Sequence, residues 1–194
     1  MRKINMENVR EAGTSNRLPA GGYICKITNV TDVPLNENTG RGDYLEIEFD
    51  IAEGEYKDYY KQLNAEHGFW GGSYKRSYKE KALPFFKRMC SAVAKSNPGF
   101  VFDGGEQNSN EQTLVGKRVG LVLGEEEYNG NDGKTKTRLH VSSECSIEDI
   151  QKENFKVPEF KNLDGTRGKK EKTTNYGFVS EGFTSVEENI EIPF

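Results

Sequence analysis

A regular alternation of apolar and polar residues predicts several strands in this chain. It is clearest in residues 44–51, where four apolar residues alternate with tyrosine and acidic residues. A period of two is typical of a strand with one buried face. Residues 21–33, 117–128 and 135–143 alternate similarly or are rich in β-branched residues, and the turn formers Asn129-Gly130 and Asp132-Gly133 predict a hairpin between the last two.

The remaining elements complete the order of a small barrel. We interpret Tyr56–Leu63 as a hairpin partner of the second strand, which makes it the third strand. Apolar residues between positions 82 and 93 recur at helical spacing and predict a helix that begins near Leu83 and ends at Asn97-Pro98-Gly99. Three strands, one helix and two strands match the five-stranded OB-fold barrel. We therefore predict an all-β or β-rich fold of this type, with the helix between strands three and four.

The composition divides the chain into a body and two extensions. Hydrophobic residues make up only 34% of the sequence, so part of it is expected to lie outside any packed core. We predict a flexible N-terminal arm over residues 1–19 and the OB-fold domain over residues 20–162. Residues 163–194 are dominated by Gly, Lys, Glu, Thr, Ser and Asn, which predicts a flexible, acidic tail.

Charge and cysteine content narrow the classes of function. No apolar run approaches the roughly 18 residues of a membrane helix. The three cysteines are far apart and only two histidines accompany them, so we expect no metal site, no cofactor and no enzyme. No signal-peptide pattern opens the sequence and the odd cysteine number suits a reducing compartment, so we expect a cytoplasmic location.

The last residues have the composition of a docking peptide. Phe194 suits an apolar pocket and its carboxylate suits an Arg or Lys of a partner, while Pro193 reduces the ordering cost. The glutamates before them would steer the encounter with a basic surface. The predicted partner-docking residues are Glu188, Glu191, Ile192, Pro193 and Phe194.

These residues carry a resemblance to a known family. Bacterial single-stranded DNA-binding proteins have an OB-fold and an acidic tail that typically ends Asp-Asp-Asp-Ile-Pro-Phe, which the end of this sequence resembles. The body, over roughly residues 20–163, is similar to a family of phage replication-module proteins proposed to bind single-stranded DNA. The similar stretches are Leu45-Glu-Ile-Glu-Phe-Asp-Ile-Ala-Glu-Gly54, Ser96-Asn-Pro-Gly-Phe100, Leu114-Val-Gly-Lys-Arg-Val-Gly120 and Phe155-Lys-Val-Pro158.

Cations and rings lie close together in the sequence where such a function requires them. Non-specific binding of a single strand needs cations for the phosphates and aromatic faces for the bases. The outward side of the second β-strand carries Glu46, Glu48 and Asp50, which would repel phosphate. We therefore expect the single-stranded DNA to follow other surfaces of the protein. The candidate binding residues are Arg41, Tyr56, Lys57, Tyr59, Tyr60, Lys61, Trp70, Tyr74, Lys75, Arg76, Lys79, Lys134, Lys136 and Arg138.

The sequence and the resemblance together predict a protein that is not an enzyme. We expect it to coat single-stranded DNA in phage replication or recombination, in the cytoplasm of the bacterial host, and to recruit replication or repair proteins through its C-terminal residues. Homo-oligomerisation remains open. Two alternatives also remain open: a replisome adaptor whose barrel binds protein and never DNA, and a nuclease or annealing factor.

Overall fold

One antiparallel sheet of five strands forms the centre of the protein. The computed structural model describes residues 17–102 and 110–168. Its strands are β1 (Gly21–Val33), β2 (Tyr44–Ile51), β3 (Ser73–Ser77), β4 (Arg118–Asn129) and β5 (Thr135–Cys145), and they lie in the order β3-β2-β1-β4-β5. The strands predicted from alternation, which correspond to β1, β2, β4 and β5, are confirmed.

Helices lie between the strands of the first half and after the last strand. The described part of the chain contains α1 (Tyr59–His67), α2 (Leu83–Ser96) and α3 (Ile147–Gln151), together with 3-10 turns at Glu80–Ala82 and Glu111–Leu114. The helix predicted from near Leu83 is confirmed as α2. Pro84 lies in its first turn, where a missing backbone N–H leaves no helical hydrogen bond unmade. Helix α2 lies between β3 and β4, as predicted, and α1 and α3 are additional helices that the sequence did not predict.

The prediction for the third strand is also wrong. The segment interpreted as that strand, Tyr56–Leu63, contains the start of α1, and β3 comes ten residues later. The reason is tertiary, because the carboxylate of Asp50 at the end of β2 accepts hydrogen bonds from the backbone N–H groups of Tyr60 (2.9 Å) and Lys61 (3.1 Å). These are N–H groups that a helix start leaves unpaired, so β2 supplies the cap of α1.

The core lies between the inward face of the sheet and α2. Phe49 of β2 contacts the edges of two tyrosine rings, Tyr60 at 5.3 Å and Tyr74 at 5.9 Å between centroids. Helix α2 contributes Met89 and Val93, which are fully buried. The other core residues include Leu18, Cys25, Ile27, Val30, Leu45, Ile47, Ile51, Leu114, Val119, Leu121 and Leu123.

Side chains join the two edge strands of the sheet. β3 and β5 each pair with one neighbour in the described ladder, so the sheet is open in its backbone hydrogen bonds. Arg76 of β3 nevertheless reaches Glu144 of β5, with 2.5 Å between Nη2 and Oε1. Arg88 of α2 binds the other carboxylate oxygen at 3.3 Å. The Glu144 side chain is fully buried, and the contact requires the sheet to curl until its edges approach each other.

The segment after β5 covers part of the outer face of the sheet, the face that points away from the core. Phe155 lies against Gly22 of β1, and Pro158 lies against Gly124 of β4. The backbone N–H of Lys161 donates to the carbonyl of Glu125 at 3.1 Å. We call residues 152–161 the strap. Glycines in β1 and β4 leave room for its side chains, because a Cβ at either position would overlap them.

The folded body extends beyond the predicted domain at both ends. Leu18, assigned to the arm, is 1% exposed in the core. Arg17 forms an ion pair with Glu125 at 2.9 Å. At the other end, the backbone N–H of Gly168 donates to the carbonyl of Phe160 at 3.1 Å, so residues 163–168 are held on the body. Residues 1–16 and 169–194, with the predicted docking residues Glu188 to Phe194, lie outside the described residues.

Candidate nucleic-acid interface

Two of the predicted stacking rings are core residues. Tyr60 is 5% exposed and Tyr74 is 8% exposed, and burial raises the pKa of both hydroxyls. Tyr60 is in the core because α1 turns it onto Phe49, and Tyr74 because it points inward from β3. Neither ring therefore presents a face to a base in this structure.

Tyr56 and Tyr59 are partly buried in a cluster of rings at the start of α1. Their centroids lie 6.4 Å apart, and Tyr56 meets Tyr23 edge-on at 6.2 Å. The hydroxyl of Tyr59 accepts a hydrogen bond from the backbone N–H of Leu18 at 3.3 Å. Both rings pack against the core, so they contribute mainly to the position of α1.

Two of the predicted cations already have partners on the body. Arg76 is only 13% exposed at its side chain and pairs with Glu144, so it is not available to a phosphate in this structure. Lys75 is exposed on β3, where its Nζ donates to the Tyr44 hydroxyl at 2.9 Å. This hydrogen bond, more than the nearby Glu46 carboxylate, raises the pKa of Lys75.

The acidic stripe of β2 is less repulsive than the sequence suggests. Asp50 is 6% exposed and accepts hydrogen bonds from three backbone N–H groups, including that of Ile51 at 2.8 Å. Glu46 lies 3.7 Å from the Nζ of Lys75. Of the three outward acids, only the Glu48 carboxylate has no cation and no hydrogen-bond donor of the described residues within contact distance. Repulsion of phosphate along β2 is therefore weaker than expected.

A pocket beside α1 brings together one ring and three lysines. Its volume is about 530 Å³, and we call it the Trp70 pocket. The indole Nε1 of Trp70 donates to the carbonyl of Gly72 at 3.0 Å, and the ring lies tilted against Tyr60 at 6.5 Å. Both contacts hold the partly buried ring in place. The charged side chains that line the pocket are Lys26, Asp50, Lys57, Asp58 and Lys61.

The lysines of this pocket reach it from two elements. Lys57 and Lys61 flank the start of α1, whose position Asp50 fixes. Lys26 lies on β1, where its Cα is paired with that of Asp50 across the ladder. No carboxylate oxygen of the described residues lies within 4.0 Å of these three ammonium groups, so they are available to an anion.

A second group of cations lies on the outer face of the β4–β5 hairpin, and we call it the hairpin cluster. Arg138 pairs with Glu126 at 2.8 Å and lies over the Tyr128 ring at 5.2 Å. Lys161 of the strap lies 3.6 Å from the same carboxylate. Lys136 pairs with Asp132 at 3.0 Å, and Lys134 is exposed in the turn. This group contains more cations than acids, although most of the cations lie within 4.0 Å of a carboxylate.

His140 lies beside the hairpin cluster, and its pKa is lower than the usual value for histidine. Burial lowers the pKa of His140, and the cations Lys161, Arg138 and Arg167 lower it further, against the opposing effect of Glu126. A neutral imidazole is thus favoured there, which is the expected response of a base held among positive charges.

The remaining candidates are exposed and isolated. Arg41 lies in the β1–β2 loop, and Lys79 lies between β3 and α2. Lys26, Tyr128 and Lys161 were not predicted from the sequence. Alternation along β1 places Lys26 on the outer face and could have identified it. No local signal identifies Lys161, because it reaches the hairpin cluster through the strap.

Comparisons with known proteins add no family to this description. The sequence matches no protein-family model, and it matches no curated protein. Among the described helices, none is both long enough and apolar enough to span a membrane. The sheet topology and the surface chemistry described above are therefore the observations that bear on function.

Proposed function

We propose that this protein binds single-stranded DNA without sequence preference, as a coating protein of phage replication or recombination. The observation that carries the proposal is the Trp70 pocket, in which a fixed indole ring lies among Lys26, Lys57 and Lys61. Stacking on an aromatic ring contributes about 1–3 kcal/mol per base, and lysines attract the backbone of any sequence. This chemistry holds a single strand without reading its bases.

The sheet topology supports an OB-fold as the architecture. An OB barrel has strand one between strands two and four, with strands three and five meeting at the closure. The order β3-β2-β1-β4-β5 is that barrel opened between β3 and β5, with α2 in the expected place between β3 and β4. The ion pair of Arg76 with Glu144 lies across the opening. On this interpretation the β4–β5 hairpin corresponds to a loop that OB-folds use for ligands.

Recruitment of replication or repair proteins is proposed for the last residues of the sequence. Glu188, Glu191, Ile192, Pro193 and Phe194 combine acidic and bulky apolar side chains, which suits a basic partner surface with an apolar pocket. In this proposal the folded body binds the DNA and the C-terminal residues bind the partner proteins.

The test of DNA binding uses the single tryptophan of the protein as its own reporter. Titration with oligo-dT should quench the emission of Trp70, and the affinity should fall steeply as salt is raised. A matched oligo-U titration measures the preference for DNA over RNA. Absence of binding at low salt would favour the adaptor that binds only protein, and magnesium-dependent cleavage of the oligonucleotide would favour a nuclease.

Matched variants separate the Trp70 pocket from the general charge of the protein. With labelled oligo-dT and anisotropy as the readout, Trp70→Ala should weaken binding by roughly 5- to 150-fold, the equivalent of one lost stacking contact. Lys57→Ala with Lys61→Ala should also reduce the salt dependence. Lys152→Ala with Lys156→Ala removes the same charge from exposed positions of the strap, outside the pocket. Equal losses in both pairs would show that the pocket is not the site.

A further inference from the structure

An apolar groove runs along the side of α2 that faces away from the sheet. Its volume is about 1010 Å³, and we call it the α2 groove. Leu83 at its start is 46% exposed, and Val101 at its far wall is 73% exposed. Its other lining residues include Phe86, Lys87, Cys90 and Phe102.

The groove exists because α2 has two apolar stripes. Met89, Ala92 and Val93 face the core and are buried. Leu83, Phe86, Cys90 and Ala94 recur at the spacing of a second helical stripe, which lines the groove. Apolar side chains that are grouped and exposed mark a surface that binds something.

Lysines outnumber acids in the stretch of chain that forms this groove. Lys87 lines the groove, and Lys79, Lys81 and Lys95 are exposed on α2 or on the turn before it. No carboxylate of the described residues lies within 4.0 Å of these four ammonium groups. Glu80, the one acid in this stretch of sequence, also lines the groove, so the lysines exceed the acids by three. An acidic peptide with bulky apolar side chains is therefore the complementary occupant.

The chain itself contains such a peptide in one of its three undescribed segments. Residues 103–109 have no apolar side chain, so they cannot fill the groove. Residues 1–16 carry three cations against two acids, which matches the charge of the lysines instead of complementing it. Residues 187–194 combine three glutamates with Ile190, Ile192 and Phe194, and carry no cation.

We propose that residues 187–194 bind in the α2 groove of their own molecule. Ile192 and Phe194 occupy the apolar floor, and the three glutamates lie near the four lysines. The 26 residues after Gly168 reach on the order of 80 Å when extended, about twice the roughly 40 Å width of a body of this size. Tethering supplies the peptide at an effective concentration of about 1 mM, so even weak intrinsic affinity fills the groove.

This contact regulates recruitment. A partner protein that binds the same residues must first displace them from the groove, so its apparent affinity falls by the fraction of molecules that are closed. This regulation rests on the proposed recruitment of partners by the last residues, whereas the contact itself rests on the groove and the peptide and does not require DNA binding by the Trp70 pocket.

Cys90 provides a site-specific reporter inside the groove. Burial raises the pKa of Cys25 well above its usual value and that of Cys145 to about 11, so both thiols react slowly near neutral pH. Alkylation of Cys90 by iodoacetamide, followed by mass spectrometry, measures how open the groove is. The protein lacking Pro193 and Phe194 should be alkylated about tenfold faster than the full chain, because ~1 mM effective concentration exceeds an affinity of ~0.1 mM by that factor.

Two variants and a synthetic peptide make the test decisive. A peptide of residues 187–194 should slow alkylation of Cys90 in the shortened protein, and Leu83→Glu should abolish that protection. Leu163→Glu introduces the same charge at an apolar residue of similar exposure, 47%, and should leave the protection intact. Equal alkylation rates in full and shortened protein, or a rate in the full chain that rises on dilution, would overturn docking within one molecule.

The oligo-dT titration of the same two proteins separates the proposals. If oligo-dT binds and Cys90 is alkylated at the same rate in both proteins, the groove contact is ruled out and the DNA-binding proposal stands. If Cys90 is protected in the full chain and oligo-dT does not bind, the DNA-binding proposal is ruled out and the groove contact stands.

Discussion

Glu144 shows how one buried charge supports the closure of the sheet. Its carboxylate has no exposure to water and pairs with Arg76 from β3 and Arg88 from α2. Burial of a carboxylate costs several kcal/mol unless its oxygens are well paired. The two arginines supply that pairing, and in doing so they hold three elements together at the open edge.

We predict that Glu144→Gln destabilises the protein strongly. The change leaves Arg76, which is 13% exposed, without its counter-charge, and such losses cost about 3–5 kcal/mol. Urea unfolding followed by circular dichroism measures the change in the free energy of unfolding. Glu48→Gln, on the outer face of β2, is the control and should change it by less than about 0.5 kcal/mol. A similarly small change in Glu144→Gln would mean that the ion pair does not support the closure.

At the scale of elements, the strap packs closely against the sheet because the sheet has glycines at the points of contact. Gly22 of β1 accommodates the ring of Phe155, and Gly124 of β4 accommodates Pro158. In both places the close approach requires glycine, because any Cβ would overlap the strap. The strap therefore covers outer-face surface that would otherwise be exposed.

Gly22→Ala should lift the strap from the sheet. The added methyl group overlaps Phe155, so we expect a loss of about 1–3 kcal/mol in the free energy of unfolding, typical of overpacking. Urea unfolding measures it, with Gly168→Ala as control, since a Cβ there meets nothing within 4 Å. In the double variant with Phe155→Ala the two losses should not add, because the overlap is gone. Additive losses would contradict the contact.

At the scale of the whole molecule, charge is divided between body and tail. The last 14 residues of the sequence carry four glutamates and no cation, whereas residues 75–95 carry seven cations and one acid. Under the proposed function, a tail of this charge would compete with DNA for the cations of the body.

Deletion of Pro193 and Phe194 should leave the affinity for oligo-dT unchanged or slightly higher. The deletion removes no cation and none of the residues proposed to hold DNA, and under the proposed docking the body would hold the shortened tail less firmly. Anisotropy titrations at low and at high salt measure the difference, which should shrink as salt screens it. A large loss of affinity would show that the tail takes part in DNA binding and would contradict the division.

The sequence alone determined the elements whose signal is local. β1, β2, β4, β5 and α2 follow from apolar periodicity, because each period matches the geometry of its own backbone. Lys57, Lys61 and Trp70 were also identified together, since a cation and a ring within a few residues are visible in the sequence. The charge and the apolar side chains of residues 187–194 are likewise a property of the sequence.

Only the tertiary structure decided where the chain turns and which rings are buried. α1 begins where it does because Asp50, ten residues before Tyr60, caps it from the end of another element. Tyr74 and Arg76 were candidates for DNA contact until the curl of the sheet buried one and gave the other Glu144 as its partner. Lys26 joins the Trp70 pocket through the pairing of β1 with β2. Contacts between residues far apart in sequence leave no periodic signal, because they depend on packing that the whole chain completes.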